Sequence, residues 1–243
     1  MKKLKVVFPV LLALVLSSAV VSCKKDEATE PNSQPQVAMK FKSNTEPFPV
    51  ASAQEFQALS FDSINTLAFD SGYITLVEVE FQVQTGDDSV LVDFNLEQNI
   101  VIDFATGQTS PDISAVEIPA GIYSEVEVEL ELQDEGDEPG MVLFGSFVDT
   151  SGTSHKVRFE FNSGETFEVE KEGNVVFAVN QSVLTTVTFD PSAWFAGVKR
   201  EQLIRATRDG NGVIVISETR NSEIFDIVAD GLDLATEVEV EVD

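Results

Sequence analysis

Positive charge is scarce in this chain of 243 residues, and over a long stretch it is missing altogether. Fifteen Lys and Arg stand against 42 Asp and Glu, a net charge of −27. Between Lys42 and Lys156 there is no lysine or arginine, while 22 acids fall in that interval. A nucleic-acid partner is excluded, because backbone affinity comes from basic groups. Histidine and tryptophan occur once each, as His155 and Trp194, and tyrosine only at Tyr73 and Tyr123. Zinc needs clusters of Cys and His, and the chain has none. A Ser–His–Asp relay would have to use His155, which follows the turn-forming run DTSGTS and reads as a surface loop residue. No nucleophile elbow accompanies it. No glycine-rich phosphate loop precedes a helix. Glycosidases use two acids about 5 to 10 Å apart, but the acids here sit on strand faces and in turns. A noncatalytic protein is therefore expected, and a polysaccharide-acting enzyme is the least favoured class.

The single cysteine, Cys23, gives an address. Residues 1–5 (MKKLK) carry three lysines, residues 6–16 are apolar, and small residues follow. This is the layout of a bacterial export signal, with an apolar run too short to span a bilayer. The segment ends in VVSC, which resembles the lipobox of bacterial lipoproteins. That resemblance implies cleavage after Ser22 and a diacylglycerol on the Cys23 thiol. A lone cysteine in an exported chain has no intramolecular disulfide partner, which agrees with lipidation. Loss of Lys2, Lys3 and Lys5 with the signal would take the net charge three lower, to −30. Lys24, Lys25, Asp26 and Glu27 resemble the basic-then-acidic tag of surface-exposed lipoproteins of Bacteroidota. Residues 28–36 (ATEPNSQPQ) read as a flexible spacer. The expected organisation is a signal peptide at 1–22, a lipidated Cys and spacer at 23–36, and one domain at 37–243.

That domain is β-patterned. LVEVEFQVQ (76–84) sets Val77, Val79, Phe81 and Val83 on one face and Glu78, Glu80 and Gln82 on the other. YSEVEVELEL (123–132) sets Val126, Val128, Leu130 and Leu132 against Glu125, Glu127, Glu129 and Glu131. HKVRFEF (155–161) and VEVEVD at the end alternate likewise. Period two marks half-buried strands. Further strands are expected over 37–42, 59–69, 89–96, 99–104, 113–118, 141–149, 166–170, 174–179 and 183–189. Turn signals separate them, among them TGDD, QDEGDEPG and KEGN. The Lys156 and Arg158 face is expected beside the 125–131 strand, since like charges opposed across a ladder destabilise it. Helix is expected over 190–207, capped by Asp190 or Ser192 and with a single helical turn as the alternative for its first part, and at 221–231, capped by Asn221 or Ser222 and ending at Gly231.

Two acidic loops raise the question of calcium. TRDGNGVIVISE (207–218) places Asp209, Asn211, the Val213 carbonyl and Glu218 at ligand positions of an EF-hand loop, with Gly212 at the turn. Thr207 stands where an Asp belongs, and the exit VIVIS favours a strand. A turn on DGNG is the preferred reading and a metal loop the alternative. QDEGDEPG (133–140) is read as an exposed hairpin tip, again with calcium as the alternative. High-salt adaptation and calcium binding remain alternatives for the acidity as a whole. Trp194 is read as a cap of the sandwich, with glycan stacking as the alternative.

EIPAGIYSEVEVEL (117–130), FDPSAWFAGV, NGVIVIS and NSEIFDIV resemble segments of uncharacterised β-rich surface lipoproteins of Bacteroidota. The I-P-A-G-x-Y turn of that group leads into a long strand of a transthyretin-like module. The resemblance spans about 60 to 230 and implies no activity. The expected fold is all-β, a Greek-key or transthyretin-like β-sandwich with a short helical C-terminal section. The expected role is a surface-anchored outer-membrane lipoprotein that binds an extracellular glycan or envelope protein. The alternative is a structural or accessory envelope component with cation-dependent stability.

Overall fold

Apolar and polar residues alternate from Thr66 to Gln84 in a single strand of 19 residues, with the register shifting between Phe69 and Ser71 and again between Leu76 and Glu78, so that Val77 is only half-buried while Val79, Phe81 and Val83 are buried. In the computed structural model, which describes residues 34–52, 64–86, 90–113, 115–162, 166–232 and 236–242, this strand organises the larger sheet. The signal, Cys23, Lys24 to Glu27, the spacer up to residue 33 and residues 53–63 lie outside the described residues. The strands are β1 (Gln36–Ser43), β2 (Phe48–Pro49), β3 (Thr66–Gln84), β4 (Val90–Asp103), β5 (Thr109–Ser110), β6 (Val116–Glu117), β7 (Gly121–Leu132), β8 (Met141–Val148), β9 (Ser154–Phe161), β10 (Thr166–Phe177), β11 (Ser182–Phe189), β12 (Ile214–Ile216) and β13 (Thr236–Val242). The helices are α1 (Pro191–Trp194), α2 (Arg200–Arg205) and α3 (Ser222–Leu232). The chain is all-β and sandwich-like, with its short helices near the C-terminus.

A four-stranded sheet runs β13-β11-β1-β6, and a nine-stranded sheet follows the path β10-β7-β3-β8-β9-β12, with β2 and β4 also on β3 and β5 on β4. Both β7 and β8 lie antiparallel on one edge of β3, end to end. Leu132 pairs with Leu76 and Met141 with Ile74. Between them, the Gln133 N–H donates to the Thr75 carbonyl and the Thr75 N–H to the Gly140 carbonyl. QDEGDEPG is thus not a hairpin tip. It is an excursion from what is otherwise one strand, closed at Thr75.

Several expectations need correction. The strands foreseen over 59–69 and 76–84 are one strand from Thr66, as are those over 89–96 and 99–104. KEGN does not end a strand. Gly173 takes φ +118 there and shifts the register within β10 between Glu172 and Val175, as a bulge does. Among the described residues of 113–118, only Val116–Glu117 is a strand. The helix expected over 190–207 is broken into α1 and α2. Asp190 does cap α1, accepting from the Ser192 N–H at 2.9 Å. In the IPAG turn, Gly121 does not take a positive φ, and what it supplies is room beside Tyr123. A Cβ on it would lie 3.3 Å from Cζ of Tyr123, whose hydroxyl donates back to the Pro119 carbonyl at 2.6 Å.

One apolar core joins the two sheets and the helices. Phe41 of β1 stacks on Phe189 of β11, and Phe189 meets Trp194 of α1 edge-on. Phe195 touches Phe69 of β3 and Phe159 of β9, and Phe225 of α3 packs on Phe159 and Phe161. These aromatic rings tie the helical section onto the β8–β9 part of the large sheet.

Candidate functional site

The alternating strands β3, β4, β7 and β10 are neighbours, and their register lines up their acids. Glu131 stands opposite Glu78, and Glu129 opposite Glu80. On the other side of β7, Glu125, Glu127 and Glu129 pair with Glu172, Glu170 and Glu168. Glu78 also pairs with Glu97 of β4. The expectation that β9 would neutralise this face is therefore wrong. β9 pairs with β8 and β12 instead, and Arg158 meets Glu160 of its own strand at 2.8 Å. The apolar sides of β3 and β7 must face the core, so burial fixes the register and the glutamates follow. Glu78, Glu80, Glu129 and Glu131, with Thr166, line a depression of about 40 Å³. Burial first, then a hydrogen bond and repulsion from Glu78, and the charges of Asp134 and Glu129, push the Glu131 carboxyl above its ordinary value. Carboxamides interleave with the acids: Asn95 donates to Glu78, Gln82 to Glu80, and Gln84 to Glu125 at 2.9 Å.

A second cluster sits at the β8–β9 turn. Asp149 Oδ1 accepts from the Ser151 hydroxyl at 2.6 Å and from the backbone N–H groups of Ser151 and Thr153. Its other oxygen meets His155 Nε2 at 2.8 Å, and Arg208 Nη2 lies 3.3 Å from His155 Nδ1. Arginine only donates, so Nδ1 accepts and Nε2 carries the proton toward Asp149. The Ser151 hydroxyl, His155 and the backbone amides hold the Asp149 carboxyl far below the usual range. Both imidazole nitrogens are engaged and Ser151 faces the carboxylate, so the arrangement is a clamp between the β8–β9 turn and the Arg208 segment. His155 is a half-buried member of it, stacked on Phe147, and not a free loop residue. The only trace of it in the sequence is the spacing of Asp149, Ser151 and Thr153 at alternate positions, the composition of a side-chain-capped turn.

The residues read as calcium ligands are placed as follows. Asp209 Oδ1 accepts from the Asn211 and Val213 N–H groups at 2.8 and 2.9 Å. The Val213 carbonyl accepts from the Asp209 N–H at 2.9 Å. The backbone bonds from Val213 and Asn211, then the charges of Arg158 and Arg220, hold the Asp209 carboxyl low. Glu218 is exposed beyond β12, in a turn closed by Ser217 and Arg220. One carboxylate oxygen of Asp209 and the Val213 carbonyl are thus engaged by the loop's own backbone, and its exit is a strand. Among the described residues, no group of three or more His, Cys, Asp or Glu is placed to hold a metal ion.

Trp194 needs a correction as a glycan platform. It is 0% exposed, because Phe189 meets one side and Gly231 of α3 closes on its backbone. No ring face is left for a sugar. Cys23 lies outside the described residues. Among the described residues, no helix is long and apolar enough to cross a membrane. Comparison with family models, curated proteins and solved structures finds no match to this chain, so its function has to be argued from its own residues.

Proposed function

We propose that the chain is a noncatalytic lipoprotein, held at the outer membrane by acyl chains on Cys23 and exposed at the cell surface. Its β domain is a binding or adhesion module for an extracellular partner, a glycan or another envelope protein. The observation that supports this reading is the acidic face across β4, β3, β7 and β10. Opposed glutamates cost a ladder stability, and alternation needs only a polar residue at each of these positions. A broad surface of one charge is a feature of what the domain meets, not of how it folds.

The same face favours a second reading, an accessory envelope component whose stability depends on cations. The experiment that tests the first reading has an anchoring arm and a binding arm. Cys23→Ala should move the protein from the membrane to the soluble fraction; retention in the membrane would refute the anchor. The mature chain and a Glu80→Gln/Glu127→Gln/Glu129→Gln variant are then compared on glycan arrays and on solubilised envelope proteins, with and without calcium. The binding reading expects a partner held by the parent and lost in the variant. Equal binding by both would remove the acidic face from the argument. Binding by neither, with calcium-dependent stability, would favour the accessory component.

A further inference from the structure

Three separated segments meet at one end of the domain. The Ile118 N–H donates to the Pro35 carbonyl at 3.0 Å, and the Ala120 N–H to Gln34 Oε1 at 3.1 Å. The Gln36 N–H donates to the Gln181 carbonyl at 3.0 Å, and the Ala178 N–H to Gln181 Oε1 at 2.7 Å. β10 then pairs Val176 with Ile122 and Phe177 with Gly121. Segments 34–38, 118–124 and 173–182 are thereby brought together.

None of them contains a charge. They total 22 residues, in which the chain's 23% charged content would place about five. Among the described residues, three of the six exposed large apolar side chains lie here: Ile122 at 65%, Val176 at 51% and Val179 at 46%. Ile122 and Val176 are cross-strand neighbours, so they form one patch rather than scattered exposures. Acids resume at its margin, with Glu117 and Glu125 in sequence and Glu241 opposite Leu184 in register.

The N-terminal segment enters the domain at this same end. Gln34 follows Cys23 by eleven residues, which reach at most about 40 Å when fully extended. Acyl chains on Cys23 would therefore hold this end of the domain within reach of the bilayer. We infer that the charge-free end formed by residues 34–38, 118–124 and 173–182 rests on the lipid surface that anchors Cys23. Ile122, Val176 and Val179 enter the boundary between headgroups and acyl chains, as apolar residues of peripheral proteins do. The acidic margin selects a zwitterionic surface over an anionic one. The inference rests on the lipid-anchor reading and adds an orientation to it.

The test uses the mature lipidated chain in phosphatidylcholine vesicles. Once Cys23 is acylated, a cysteine placed by Ile122→Cys is the only free thiol and takes an environment-sensitive fluorophore. Thr150→Cys, in the exposed β8–β9 turn, carries the comparison probe. That turn lies eighteen residues along β3 from Gln84, roughly 60 Å of strand. Nitroxide-bearing lipids should quench the Ile122 probe at least threefold more than the Thr150 probe. Val176→Asp with Val179→Asp should abolish the difference while native Trp194 emission is kept, and phosphatidylglycerol should weaken it. Equal quenching at both positions, with the protein still anchored, overturns the inference and leaves the anchor standing. A signal that follows protein density rather than nitroxide content overturns it in favour of a second copy of the chain. Absence of acyl chains on Cys23 by mass spectrometry overturns the anchor reading and this inference together.

Discussion

Glu129 is the residue at which the cost of the acidic face should be easiest to measure. It stands between Glu80 of β3 and Glu168 of β10. Directly opposed residues on a sheet face have Cβ atoms about 5 Å apart. Two like charges at about 5 Å repel by roughly 0.8 kcal/mol in water. Measured cross-strand charge pairs fall in the same range, about 0.2 to 1 kcal/mol each. Glu129→Gln removes two such repulsions and should stabilise the domain by about 0.5 to 1 kcal/mol. Glu129→Lys turns both into attractions and should add about 1 to 2 kcal/mol. The assay is urea unfolding followed by emission of Trp194, the only tryptophan and fully buried. Salt supplies the control. The screening length falls from about 10 Å at 0.1 M to about 3 Å at 1 M, so the parent should gain stability with sodium chloride and the lysine variant should gain less or lose. A lysine variant no more stable than the parent, with an unchanged salt response, would refute the view that the ladder stores repulsion.

Acidity should act through the same face. Glu131 is held above its ordinary value near 4.5, so the folded chain keeps a proton that the unfolded chain releases. Stability contributed by that proton is present at low pH and is lost as pH rises through the window just above 4.5. Asp149 and Asp209 are held below their ordinary value of 3.8; their contribution is present above that value and is lost as pH falls further. Urea midpoints from pH 3 to 8 should therefore peak at about pH 4.5, where the two contributions cross, and Glu131→Gln should flatten the decline on the alkaline side; a monotonic rise to pH 8 would contradict this. Tyr123→Phe deletes the bond to the Pro119 carbonyl and should cost about 1 kcal/mol in the same assay, with no loss meaning that the IPAG turn holds itself. Trp194→Ala empties a fully buried site beside Phe189 and should cost about 3 to 5 kcal/mol, read by thermal unfolding; a cost below 1 kcal/mol would mean that α1 is not part of the core.

Local pattern carried much of the fold. Alternation located β7, β9 and β11 to within a residue or two, the β-branched run after Gly212 foretold β12, and Asp190 marked its cap. Alternation says which face a residue takes, but not which strand lies alongside. The placement of β9 away from β7 follows from β3, which is long enough to pair with β7 over one half and β8 over the other. Charge complementarity, at a fraction of a kcal/mol per pair, gave way to the burial of Val126, Val128, Leu130 and Leu132, each worth about 1.5 to 3 kcal/mol. The His155 cluster was hidden for another reason. Its Arg208 comes from 53 residues further along, and no local spacing announces such a partner. Trp194 was legible as a cap, since an aromatic beside a Pro-capped helical turn has few places to go.

The position of β1 has a consequence for the order in which the domain can assemble. β1 lies inside the four-stranded sheet, between β11 and β6, and Gln36 meets Ser182 across 146 residues. Closing a loop of that length must precede any pairing between them. The strand made first is thus among the last to gain its main partner. The pairings among β3, β4, β7, β8 and β9 join segments much closer in sequence and can form while β1 waits. Until Phe189 has been delivered, the strand next to the N-terminal spacer carries an open edge, which is a template for pairing with other chains. Chains halted before β11 should therefore collect as aggregates, joined through the unpaired edge of β1.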